Sequence, residues 1–166
     1  AVGRAQDVLI TLSRRKWDVP IYFDGMCKTV TRKVLSSPSQ YIKNKDALHK
    51  MYYDTVKFVS SERMRNNIAT EPGIFLCTSG MLQGGPAIHY LKHMWHDEKS
   101  ATLLTGYQVR NTNGWLLSEH KEFYLKGWKT KVKCYVERFD FSAHLSREDL
   151  HQFIKDTKPK VIIINH

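Results

Sequence analysis

The sequence predicts an α/β domain: a mostly parallel sheet with helices on both faces. Three observations carry this. Short apolar runs alternate with stretches of helical periodicity, the pattern of strand–helix–strand units. Residues 74–77 (IFLC) are apolar without a break, as expected of a strand covered on both faces. That run leads into a glycine-rich loop, 79–85 (SGMLQGG), and then Pro86, which suits the first turn of a helix.

Each element has its own signal. In residues 1–16, Ala5, Val8, Leu9 and Leu12 recur at helical spacing, and Arg14, Arg15 and Lys16 suit the C-terminal end of the helix dipole. Residues 20–23 (PIYF) form a short strand, ended by Asp24 and Gly25. Thr29 caps a short helix through Leu35, which 36–39 (SSPS) break. Asp46 caps a helix carrying Leu48, Met51, Tyr52, Thr55 and Phe58. A polar, basic connection follows at 60–70 (SSERMRNNIAT). After the 74–77 strand, the helix from Pro86 turns Ile88, Leu91, Met94 and Trp95 to one side. Then come a strand at 101–107, a polar loop at 110–114, an excursion through Trp128 and a strand at 131–139. Ser146 caps a helix with Asp149 three residues on, flanked by Leu145 and Leu150, and 160–165 form a last strand.

At 166 residues the chain is one domain by length. Its 26 Lys and Arg against 16 Asp and Glu give a net charge of +10, which attracts polyanions. Aromatics are interleaved with the cations, among them Tyr52, Tyr53, Trp95, Tyr107, Trp115 and Trp128, which favours nucleic acid over a merely basic surface. Cys27, Cys77 and Cys134 are far apart and form no C-x-x-C pair, so they read as small buried hydrophobes in a reducing, cytoplasmic setting. No signal peptide or membrane span is predicted. The opening Ala-Val-Gly-Arg lacks a methionine, as expected of a processed or excised piece.

In parallel sheets the working residues collect beyond the carboxyl ends of strands. Three candidate sites fall there: the loop 79–85, the loop 107–114, and Ser142 and His144 with His166. In the first, glycines let backbone N–H groups approach an anion at a helix start, although no P-loop or G-x-G-x-x-G pattern is present. His144 and His166 each follow an apolar run, where an imidazole can move a proton or bind a metal. His89, His93 and His96 stand at helical spacing, but no glutamate follows the first. They read as a solvent-facing stripe rather than a zinc site.

Taken together, GRAQ (3–6), PIYFDG (20–25), SGMLQGGP (79–86), GYQ (106–108), DFSAH (140–144) and IINH (163–166) resemble the β-CASP nucleases of the metallo-β-lactamase superfamily. The likeness is to homologues of the cleavage and polyadenylation specificity factor endonuclease subunit, archaeal forms included, and to ribonuclease J relatives. It implies a zinc-dependent, RNA-processing phosphodiester hydrolase, of the mRNA 3′-end cleavage or RNA decay type. It gives His144 the role of general acid, His166 that of a zinc ligand, and Ser142 a contact to the scissile phosphate. It places Ser79, Gly80, Met81, Gly84 and Gly85 along the nucleic-acid cleft.

The chain also departs from the family pattern. The His-x-His-x-Asp-His zinc motif and the motif A acid are absent, and 109–115 (VRNTNGW) stand where Glu-Gly-Thr-x-Gly-Arg is usual. The resemblance therefore implies a β-CASP cassette, 1–138, without the metallo-β-lactamase domain. Residues 139–166 would be a return segment that normally packs into that domain. The expected partners are RNA or single-stranded DNA, the metallo-β-lactamase domain of the same protein and, for the complete enzyme, a second copy in a homodimer. The complete enzyme would use two zinc ions; this chain alone is expected to bind RNA and cut nothing. A non-catalytic RNA-binding or assembly module and a nucleotide-binding α/β domain are the alternatives.

Overall fold

A three-stranded parallel sheet organises the first half of the computed structural model, which describes residues 2–38, 42, 44–139 and 145–163. Its central strand is β1 (Ile21–Asp24), with β2 (Lys57–Phe58) on one side and β3 (Ile74–Cys77) on the other. The β1–β3 register runs from Ile21 opposite Ile74 to Asp24 opposite Cys77. Every residue of β1 is buried, whereas β3 is half-buried throughout. The IFLC run is thus an edge strand and not one covered on both faces.

Helices α1 (Arg4–Leu12), α2 (Cys27–Leu35) and α3 (Lys45–Lys50) and a π-helical turn (Met51–Thr55) accompany this sheet. Leu9, Phe23, Cys27, Leu48 and Tyr52 form its core. Burying Phe23 completely contributes roughly 1.5–3 kcal/mol. Met26, not Thr29, precedes the first turn of α2, and Asn44 in the left-handed region precedes α3. Val56 turns extended after the π-helical turn, so Phe58 joins β2 instead of prolonging a helix. The polar stretch 60–70 contains α4 (Glu62–Ile68), where the Ser61 hydroxyl accepts the Met64 N–H at 3.2 Å.

The second half holds α5 (Gly85–Met94), β4 (Ala101–Leu104), α6 (Asn113–His120), the antiparallel hairpin β5 (Glu122–Leu125) and β6 (Trp128–Lys131), and β7 (Tyr135–Arg138). Strands β4 and β7 pair in parallel. Leu82, Leu91, Leu104, Leu117, Phe123 and Val136 form a second core. Helix α6 begins inside the expected polar loop, because Thr112 caps it: its hydroxyl accepts the Trp115 N–H at 3.2 Å.

Helix α7 (Arg147–Thr157) starts as the sequence predicts, with the Ser146 hydroxyl accepting the Asp149 N–H at 3.0 Å. None of its side chains is buried. Residues 160–163 pair with no strand among the described residues, so the expected last strand does not form there. Among the described residues no helix is long and apolar enough to cross a membrane.

Candidate nucleic-acid groove

Loop 79–85 leaves the end of β3, and residues 105–112 leave the end of β4. Gln108 ties them together. Its Nε2 donates to the Gly80 carbonyl at 3.2 Å and to the Gly106 carbonyl at 3.0 Å. Two more bonds fix the same approach: Gly114 N–H to the Met81 carbonyl at 2.9 Å, and Asn113 Nδ2 to the Leu82 carbonyl at 3.1 Å. Gly114 has to be glycine, because a Cβ there would overlap Gln108 Oε1 and stand 3.1 Å from Met81 Cα. Gln108 is 3% exposed, so its amide has no room to retreat.

The two loops enclose a groove of about 250 Å³, lined by Met26, Thr78, Ser79, Gly80, Met81, Gly106, Tyr107 and Gln108. Two of the three loop sites expected from sequence therefore meet in one place. Tyr107 and Met26 are largely exposed there. Gly84 and Gly85 do not line the groove; they turn the chain into α5. Gly85 has φ +72°, and a Cβ there would press on the Thr78 carbonyl at 3.2 Å. That carbonyl also accepts the Ala87 N–H at 3.3 Å, so part of the helix start is already satisfied from within.

Below the groove lies a constellation that the sequence reading missed. Asp24 ends β1 with 1% exposure. Arg65 of α4 donates Nε to Oδ2 at 2.7 Å and Nη2 to Oδ1 at 3.1 Å, and the Tyr90 hydroxyl of α5 donates to Oδ2 at 2.9 Å. Lys28 Nζ stands 3.9 Å from Oδ1 and donates to the Val59 carbonyl. Burial alone raises the Asp24 carboxyl, but the hydrogen bonds from Arg65 and Tyr90 and the nearby cations outweigh it and hold it below the usual carboxylate range. Burial, and donation to that carboxylate, push the Tyr90 hydroxyl up. The sequence signal was an aspartate closing an apolar strand, which reads equally well as a turn.

The histidine stripe divides. His93 and His96 are exposed, but His89 is half-buried, and its Nε2 has no hydrogen-bond partner among the described residues. Burial, with His93 and Arg65 near, lowers its pKa. Cys27 is buried and its thiol is pushed up to about 11, so it is inert, as a core hydrophobe should be.

Among the described residues no three His, Cys, Asp or Glu side chains gather to hold a metal ion. These residues do not fit a zinc pair. Ser142, His144 and His166 lie outside the described residues. The Phe139 N–H donates to the Leu104 carbonyl at 2.8 Å, beside the start of the 105–112 loop. On the other flank of that loop, Gly106 packs against Arg4 at the start of α1.

The model of the Beta-Casp domain matches residues 5–117, and that of the Zn-dependent metallo-hydrolase RNA specificity domain matches residues 129–166. The chain is 37% identical, over all of its length and 39% of the relative's, to the probable RNase MJ4 of Methanocaldococcus jannaschii. It is 33% identical to RNase aCSPSF2 of Saccharolobus solfataricus, over 99% of this chain and 33% of that protein. It is 36% identical to Transcription termination factor FttA of Lokiarchaeum sp., over all of this chain and 29% of that protein. The chain spans about a third of the length of the curated relatives it matches.

Proposed function

The chain belongs to the Beta-Casp domain family, and from that premise we propose that it is the nucleic-acid-binding cassette of a zinc-dependent, RNA-processing nuclease. The observation that carries this reading is the meeting of loops 79–85 and 105–112 in one groove beyond the carboxyl ends of β3 and β4. The groove is lined by small residues, Thr78, Ser79, Gly80 and Gly106, together with Met26, Met81 and Gln108, and Tyr107 is at hand to stack on a base. A net charge of +10 favours a polyanion.

In this reading, Ser79, Gly80 and Met81 contact the strand, and Gly84 and Gly85 shape the loop that presents them. Ser142 contacts the scissile phosphate, and His144 gives a proton to the leaving oxygen. His166 supplies one ligand to zinc, and the remaining ligands belong to a metallo-β-lactamase domain of the same protein. Helix α7 supports this division: Leu150 and Phe153 are exposed on it, apolar surface suited to packing against another domain. Residues 1–138 then form the cassette, and 139–166 the segment that returns to the metal domain.

The test uses this chain and a longer protein that joins it to a metallo-β-lactamase domain. This chain should bind single-stranded RNA, lose affinity as salt rises, and cut nothing when zinc is added. In the longer protein, His144→Ala should lower cleavage about 10²–10⁴-fold while RNA binding persists. Zinc-dependent cutting by the chain alone, or full activity in His144→Ala, would overturn the proposal.

A further inference from the structure

The β5–β6 hairpin takes no part in lining the groove, yet its surface is unusual. Phe123 is fully buried in the second core, and Leu125 packs against that core. The opposite face carries Glu122, Tyr124, Lys129 and Lys131, since Glu122 pairs with Lys131 and Tyr124 with Lys129. Leu125 and Trp128 close a two-residue turn of Lys126 and Gly127, with φ of 51° and 84°. Positive φ at both positions marks the tight turn that matches strand twist. The hairpin is therefore a rigid platform.

Trp128 stands at its tip and is 80% exposed. Residues 121–133 hold five lysines and one acid, Glu122. Lys121 is committed to the Val136 carbonyl at 2.7 Å, and Lys129 Nζ stands 3.5 Å from Glu122 Oε2, whereas Lys126, Lys131 and Lys133 are exposed. A lone exposed indole would need no explanation. Trp128 pairs with Leu125 and so lies on the face opposite Lys129 and Lys131, at the tip where Lys126 turns. A single strand crossing that tip meets a π-face for a base and cations for its phosphates. Residues 118–128, Trp128 included, lie between the spans matched by the two family models. The hairpin is also tethered to the groove loop. Asn113 Oδ1 accepts the Tyr124 N–H at 2.8 Å, while its Nδ2 holds the Leu82 carbonyl of the loop.

We propose that the β5–β6 hairpin is a second contact surface for single-stranded RNA: an unpaired base stacks on Trp128 as the strand crosses the tip, and Lys126, Lys131 and Lys133 take the flanking phosphates. This rests on the RNA reading given above. Charge selects a polyanion, and the indole selects a strand whose bases have free faces, which a duplex lacks except at its ends.

The experiment is fluorescence anisotropy with a labelled oligoadenylate and with a duplex of equal length, at several salt concentrations. Trp128 is so exposed that Trp128→Ala leaves the fold intact, which circular dichroism checks. Trp128→Ala should weaken the single strand about tenfold and leave the duplex unchanged, and Trp128→Phe should restore most of the loss. Lys133→Ala should lessen the slope of log affinity against log salt by about 0.7. Full affinity in Trp128→Ala, with a loss in Tyr107→Ala, overturns the hairpin proposal and leaves the groove standing. Equal losses for single strand and duplex, or quenching of Trp128 by poly-glutamate as strong as by RNA, also overturn it. No binding of any RNA by the unaltered chain overturns both readings.

Discussion

The Arg65 guanidinium grips the Asp24 carboxylate in a two-pronged pairing, although 41 residues separate them in sequence. Helix α4, which carries Arg65, buries none of its residues, so this pairing is its main tie to the sheet. Tyr90 brings α5 to the same carboxylate, and α5 begins where the groove loop ends. Removing Arg65 leaves a buried charge with less than its full complement of partners. Arg65→Ala is expected to lower stability by about 3 kcal/mol. Arg65→Lys should recover only part of it, because an ammonium cannot reproduce the planar fork. Urea unfolding midpoints of the three proteins check this.

Acid should lower the stability of the chain in two stages. His89 has a lowered pKa in the fold, so the unfolded chain takes up that proton first. Stability tied to His89 is complete above its unfolded value of about 6.5 and falls as pH drops from there to the folded value. Asp24 is also depressed, so its contribution is complete above about 3.9 and is lost as pH falls through the folded value. His89→Phe should remove the first stage, and Asp24→Asn should flatten the second. Urea midpoints measured from about pH 8 to about pH 3 separate the two.

Gly114→Ala puts a methyl where Gln108 Oε1 stands, against the Met81 backbone. Neither neighbour can give way without releasing Gly80 or Gly106. The expected cost is about 1–3 kcal/mol. RNA affinity should fall with it, and more than in a surface variant of equal stability. Calorimetry paired with RNA titration gives both values.

Helix α7 makes the opposite prediction. Phe153 is 56% exposed. Phe153→Ser should shift the stability of this chain by no more than about 0.5 kcal/mol. The same substitution in the longer protein should be clearly destabilising if α7 packs on a metal domain there. A thermal melt of both proteins distinguishes the cases.

What the sequence disclosed, and what it hid, follows from range. The apolar strands at Ile21 and Ile74, the cap at Ser146 and the loop before Pro86 are set by neighbours a few residues away, and those elements formed where expected. Two short helices were hidden. Helix α4 has only Met64 and Ile68 among polar neighbours, too few apolar residues for periodicity to mark it, and α6 starts at Asn113 inside a stretch that reads as a loop. Ser61 and Thr112 were their only local signals. The partners of Asp24 stand 41 and 66 residues away, and Gln108 meets Gly80 across 28. No spacing rule reaches so far. The half-burial of β3 was equally hidden, because a run of apolar residues does not say on which side a sheet ends.

One short stretch, residues 104–106, touches the chain at both extremes of the cassette. Leu104 holds the amide of Phe139, and Gly106 rests on Arg4. A unit whose ends lie side by side can be spliced into a single loop of a host protein without stretching either partner. A cassette of residues 1–138, as proposed, would be portable: excised, or transplanted on two brief linkers, it would carry its groove and its hairpin along.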